Sequence, residues 1–326
     1  MISADRSNPL LNWIPHKLLI ENNQVLCKWL YVSNKRFTEP FFDETIAKCL
    51  SYSQNSTPFK STSDLDFLIE ATEEIDSVPP SAFIFHVSRC GSTLLSQLLS
   101  IDERNIVLSE VPLLDEILRL QYKTESLSEK KTEEVLSATI KLLAQKRTEN
   151  EKRLFIKLDS WHIGFYKTIR KLFPDVPFIF LYRSPDEVIR SHQKQRGMHS
   201  VPGIIEPQVF GFISEEIKNI GMDEYLSNVL ESYFKNILTN IEHEKNILLL
   251  NYKEGGLSML QQIANKLSYN FNETLLNEMK ERSLFHSKHP ARTFGEENEK
   301  QSLPHYLEKT MELYNQLEEK RILKSR

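Results

Sequence analysis

The sequence predicts an α/β fold, a parallel sheet flanked by helices, preceded by an N-terminal α+β extension over residues 1–80. Three observations predict it. From residue 81 onward, short wholly apolar runs alternate with amphipathic stretches, the pattern of strands covered by helices on both faces. Before residue 81 the pattern is two strand-like runs, one helix and a polar tract. The chain has 326 residues, of which 40% are hydrophobic, enough for a sizeable core and too many for a disordered chain.

Taken in order, residues 17–20 and 25–32 read as strands around Glu21-Asn22-Asn23-Gln24, a hairpin. Pro40 opens a helix with Phe41, Ile46 and Leu50 on or near one face. Residues 51–63 are rich in Ser, Thr, Asn and Gln and read as a loop, and Pro79-Pro80 close the extension. Residues 82–87 (AFIFHV) form a strand, and Leu94, Leu95, Leu98 and Leu99 stripe a helix over 92–100. A short strand follows at 106–108, then a charged helix over 129–146 with Val135, Leu136, Ile140 and Leu143 on its buried side. Strands at 154–158, 178–182 (FIFLY) and 247–250 are separated by helices over 161–173 and 214–242. Residues 304–324 make a final amphipathic helix, so 81–326 reads as one α/β domain with the extension packed on it.

Composition excludes several function classes. The net charge of −4 argues against a protein that coats nucleic acid or an anionic membrane. No apolar run approaches the ~18 residues that a membrane span needs, and the N-terminus carries no cationic stretch followed by an apolar core. Three cysteines, Cys27, Cys49 and Cys90, include no C-x-x-C pair, which points to a reducing cytoplasm rather than to a disulfide scaffold. The nine histidines form no H-E-x-x-H or comparable pairing, so no metal is expected.

Parallel sheets bind ligands at the carboxyl ends of their strands. After the first such strand comes His86-Val-Ser-Arg-Cys-Gly-Ser-Thr-Leu-Leu95. A strand, a tight loop with one glycine, two hydroxyl residues and then a helix is the arrangement that holds a phosphate. Gly91 lets the backbone approach, Ser92 and Thr93 donate hydroxyls, and Arg89 adds charge. The same pattern also fits an ordinary strand-to-helix turn capped by serine. Cys90 reads as a small packing residue within the loop. A nucleoside-triphosphate loop would read G-x-x-x-x-G-K-[ST], and here His86 stands for the first glycine and Ser92 for the lysine. That counts against ATP and GTP but not against another phosphate ligand. The later strands run into Glu110, into Lys157 and Asp159, and into Arg183. Each alone reads as a solvated loop charge; their recurrence at one sheet edge points to a site. Ser184-Pro-Asp-Glu187 reads as a capping box that starts a helix directly after Arg183.

With these residues in place the sequence resembles the sulfotransferases that use 3′-phosphoadenosine 5′-phosphosulfate (PAPS), over about residues 81–320. Ser88-Arg-Cys-Gly-Ser-Thr-Leu-Leu95 is similar to their 5′-phosphosulfate loop, and Phe178-Ile-Phe-Leu-Tyr-Arg183 with Ser191, eight residues on, to their 3′-phosphate element. The likeness is nearest to the branch with the tyrosylprotein sulfotransferases and many bacterial enzymes, where a glutamate follows the loop arginine. Here Glu110 stands 21 residues after Arg89, and Lys157 stands 26 residues before Arg183. The cytosolic small-molecule branch places a catalytic histidine two residues after the strand-end lysine; Asp159 occupies that position.

The resemblance implies a P-loop-like nucleoside-phosphate-transferase fold, PAPS as cosubstrate and no metal. Arg89 and Lys157 would stabilise charge on the sulfuryl and leaving oxygens, and Glu110 would take the acceptor's proton, with Asp159 and His199 as competing bases. Arg89 to Thr93, Arg183 and Ser191 would hold the nucleotide. It also implies a basic loop near the C-terminus that closes over the nucleotide. Lys288 and Arg292 are the candidates, with a solvated basic loop as the other reading. The glycine-bounded segment 196–203, which carries His199, is either an acceptor-pocket loop or a plain connection. The acceptor would be a small molecule or a peptide. A kinase-like phosphotransferase and a non-catalytic nucleotide-binding module are the competing functions on the same fold.

Overall fold

A computed structural model of the chain describes residues 8–22, 24–123, 127–215, 217–242, 244–284 and 304–324. Its elements are β1 (Trp13–Glu21), β2 (Gln24–Tyr31), α1 (Phe42–Cys49), β3 (Thr62–Ser63), α2 (Leu65–Glu70), β4 (Pro80–His86) and α3 (Ser92–Ile101). Then come β5 (Asn105–Ser109), α4 (Pro112–Leu118), α5 (Glu129–Leu143), β6 (Arg153–Lys157), α6 (Tyr166–Leu172), β7 (Phe178–Tyr182) and α7 (Pro185–Lys194). The remainder is α8 (Met222–Ile241), β8 (Ile247–Asn251), α9 (Gly256–Lys266), α10 (Glu273–Ser283) and α11 (Glu308–Lys324). Among the described residues no helix is long and apolar enough to cross a membrane.

The fold is α/β. Five strands form one sheet in the order β5-β6-β4-β7-β8, and helices fill the connections. β4 pairs parallel with β7, and β7 parallel with β8. Every residue from Phe178 to Tyr182 is buried, as a strand covered on both faces requires. A second, antiparallel sheet has the order β1-β2-β3. By its contacts the chain divides into two compact units, residues 1–81 with 100–156, and 82–99 with 157–326.

In the first unit the β1–β2 hairpin is tied to α4 and to the segment that follows α5. Glu116 on α4 accepts the Leu18 N–H at 2.6 Å. The buried Gln145 carboxamide takes the Asn12 N–H at 2.9 Å and gives its own proton to the Trp13 carbonyl at 2.6 Å. Each bond satisfies a backbone group that burial would otherwise strand. The polar tract read as loop ends in β3, because Lys28 and Cys27 pair with Thr62 and Ser63 and the Trp29 indole donates to Ser63 Oγ at 2.9 Å.

In the second unit the core is built on aromatic strand residues. The Phe85 ring stacks on Phe180, with centroids 5.0 Å apart, and tilts against Phe178 at the same distance. Two helices differ from expectation. The one expected over 161–173 begins as a 3-10 run, Ser160–Phe165, before α6. There Gly164 approaches the Val209 carbonyl so closely that a Cβ would meet it at 2.5 Å. The helix expected over 214–242 starts only at Met222, since Asn219 takes a left-handed φ of +62° that breaks helical continuity.

Candidate active site

Strands β4, β7 and β8 run parallel and in register, His86 beside Leu181 and Tyr182 beside Asn251, so the loops that follow them leave the sheet at one edge. The loop after β4 is tightly folded. Ser88, Arg89 and Gly91 have φ of +70°, +50° and +81°. Left-handed backbone at two non-glycine residues costs roughly 1–3 kcal/mol each and collects at functional sites. Gly91 meets a further demand: a Cβ there would lie 2.9 Å from the Tyr252 ring. Ser92 and Thr93 open α3 and are buried, with the helix-start N–H groups beside them.

Cations from three loops and strands belong to this unit. Lys157, at the end of β6, is fully buried and donates from Nζ to Thr93 Oγ1 at 3.4 Å. Arg89 reaches the Gln195 carbonyl at 2.6 Å. Arg183, after β7, donates to the Arg89 carbonyl at 3.3 Å and to Glu187 at 3.1 Å, and its guanidinium lies 4.3 Å from the centre of the Tyr252 ring. One tyrosine thus backs both Gly91 and Arg183. Sequence reading passed over Tyr252; the available signal was its place directly after a strand, at the edge where the other loops carry their charges.

Arg183 also undoes an expected cap. Ser184 holds the N-cap position of α7 but makes no bond to the helix backbone; its hydroxyl goes to Asp186 instead. The Arg183 guanidinium takes Glu187, the residue that a capping box would turn back to the cap. Burial raises the Asp186 carboxyl, but hydrogen bonds from Ser184 and Arg190 outweigh it and hold the group below its ordinary value. Ser191 lies half-buried on α7.

The remaining candidates are placed as follows. Cys90 is fully buried, with Sγ 3.5 Å from the Leu181 carbonyl. Burial pushes its thiol up to about 12, so it stays protonated at neutral pH. Asp159 caps the 3-10 run that follows β6, and His162 Nδ1 accepts the Asp159 N–H at 3.3 Å. His199 is buried, its ring 5.0 Å from His192, 6.0 Å from Trp161 and 6.4 Å from Tyr233. Tyr233 is itself buried, which raises its phenol well above the ordinary range despite a bond to Ser160. Glu110 belongs to the first unit, directly after β5, half-buried and left-handed at φ +53°. Within that unit burial, and then the Glu110 carboxylate, hold the Asp43 carboxyl above its ordinary value. Lys288 and Arg292 lie outside the described residues.

No protein-family model matches the sequence, and no curated protein matches it. Solved structures do. The sulfotransferase STF9 of Mycobacterium avium is 13% identical, with a TM-score of 0.47 over 80% of this chain and 81% of that one. The sulfotransferase domain of the Synechococcus PCC 7002 olefin synthase is 20% identical, with a TM-score of 0.40 over 63% of this chain and 78% of that one. Mouse sulfotransferase SULT7A1, in complex with PAP, is 14% identical, with a TM-score of 0.38 over 66% of this chain and 69% of that one.

Proposed function

We propose that this protein transfers a sulfuryl group from PAPS to a hydroxyl or amine of an acceptor. One observation carries the reading most: Lys157, buried and bonded to Thr93, brings a cation to a phosphate-type loop whose own lysine position is Ser92. A triphosphate loop places that charge on the loop itself. Here the cation comes from the end of another strand, in the order and spacing of the PAPS-dependent enzymes that the sequence resembles.

The residues present suit that cosubstrate. The Gly91 turn, the Ser92 and Thr93 hydroxyls and the start of α3 offer neutral donors to a 5′-phosphate, and Arg183 with Ser191 offers a cation and a hydroxyl to a 3′-phosphate. In the transfer the acceptor oxygen or nitrogen forms a bond to sulfur while the bond from sulfur to the bridging phosphate oxygen breaks. Lys157 and Arg89 stabilise the charge that builds on the departing and equatorial oxygens. Glu110 receives the acceptor's proton, and adenosine 3′,5′-bisphosphate leaves.

The test is label transfer from sulfur-labelled PAPS to a panel of phenols, alcohols, amines and tyrosine peptides, with release of adenosine 3′,5′-bisphosphate as the second readout. Transfer that Lys157→Met abolishes supports the reading. Turnover of ATP with no dependence on PAPS would make the protein a phosphotransferase, and PAPS binding without transfer to any acceptor would make it a binding module.

A further inference from the structure

Ser88 opens the loop, and two imidazoles hold it. Its backbone N–H donates to His86 Nδ1 at 3.1 Å, and its Oγ lies 3.2 Å from His192 Nε2. His192 is fully buried on α7, and its Nδ1 accepts the Gly197 N–H at 3.1 Å. A backbone N–H can only donate, so Nδ1 carries no proton. The neutral ring then carries its proton on Nε2, and Nε2 is the donor to Ser88. Ser88 Oγ is thereby an acceptor toward His192 and keeps its own O–H for a different acceptor. The setting leaves little slack: a Cβ at Gly197 would come within 3.1 Å of the His192 ring and 3.2 Å of the His199 ring. The His199 ring also stands at 89° to that of His192, with centroids 5.0 Å apart.

We infer that Ser88 is a further anion-binding residue of the 88–93 loop, and that His192 is the positioning residue that turns its hydroxyl proton toward the 5′-phosphate of the ligand. This rests on the phosphate-loop reading above. It gives neighbouring residues of α7 two tasks: Ser191 serves the 3′-phosphate, and His192 serves the 5′ end through Ser88.

Side-chain geometry supplies the test. In His192→Asn a carbonyl oxygen replaces Nδ1 and keeps the bond from Gly197. In His192→Gln an amide N–H replaces Nε2–H and keeps the donor to Ser88. The full chain and its variants are titrated calorimetrically with adenosine 3′,5′-bisphosphate and with adenosine 3′-phosphate, which lacks the 5′ group. Ser88→Ala and His192→Asn each weaken the bisphosphate about tenfold, the size of one charge-assisted hydrogen bond. The double variant is no weaker than Ser88→Ala alone, because both remove the same interaction. His192→Gln stays within roughly threefold of the parent, less than the loss of a whole bond. Adenosine 3′-phosphate affinity is unchanged throughout. Equal losses in Asn and Gln, additive losses in the double variant, or a loss shared by both ligands would reduce His192 to a packing residue and overturn the inference. A parent protein that binds neither ligand would bring down the phosphate-loop reading itself, and the inference with it.

Discussion

Arg183 is held on three sides, by Glu187, by the Arg89 carbonyl and by the Tyr252 ring. Lysine could make one such contact as a point charge but not the planar stack together with two directed bonds. Arg183→Lys is expected to weaken adenosine 3′,5′-bisphosphate about tenfold and to leave AMP unchanged, since one charge-assisted bond is worth that much. Equal effects on the two ligands would take the 3′-phosphate away from Arg183. Glu110 is the residue on which the proposed chemistry turns. Its left-handed φ of +53° sets the backbone at the end of β5, and its carboxylate adds to burial in raising Asp43. Glu110→Gln keeps a hydrogen-bonding group of the same size but cannot take a proton. It should preserve bisphosphate binding and lower turnover by roughly 10²–10⁴-fold, the range for general-base loss. Near-parental turnover would move the base elsewhere, with Asp159→Asn the next variant to make.

At the scale of elements, the strands of the larger sheet were legible in the sequence because each is a short unbroken apolar run. The run at 178–182 matches β7 residue for residue, and 247–250 falls one residue short of β8. The tight turn between β4 and α3 was legible too, from one glycine and two hydroxyls between a strand and a leucine stripe, a pattern that a serine-capped turn shares with a phosphate loop. Tyr252 and His192 were not: their contacts arise from ring packing and from a tautomer set by the Gly197 N–H, neither of which has a sequence period. The Ser184 cap failed for a related reason, because a neighbouring arginine captured its glutamate. Gly91 is where loop and Tyr252 meet, so Gly91→Ala adds both a clash and left-handed strain. It should abolish detectable bisphosphate binding while circular dichroism stays parental, and a variant that binds normally would show that the loop has room to shift. The hairpin carries a separate signature. Burial, then Lys28 and Lys17, push the His16 imidazole down from 6.5 to about 4. The unfolded chain therefore binds more protons than the folded one between those values. The stability that His16 contributes is full above about 6.5 and falls as pH drops toward about 4. His16→Gln should flatten that slope in urea melts across the window, and a slope equal to the parent's would assign it to other groups.

At the scale of the whole molecule, residues 1–81 share a compact unit with 100–156. The hairpin's bonds to Glu116 and Gln145 and the Arg147 guanidinium 3.9 Å from the centre of the Phe37 ring lie within that unit. A chain starting at residue 79 removes those contacts and leaves Arg147 with Glu151 alone, so it should lose cooperative unfolding, and residues 1–78 alone should show none. Full activity in the shortened chain would contradict this. The proposed function requires the 88–93 loop, Lys157 and Arg183 together to read a nucleotide phosphorylated at both ends of its ribose. Isothermal titration of the full chain with adenosine 3′,5′-bisphosphate, AMP and ATP tests it most directly. The bisphosphate should bind at least ~10-fold more tightly than either of the others, the worth of one charge-assisted contact to the 3′-phosphate. Equal affinity for the bisphosphate and AMP, or a preference for ATP, would contradict it.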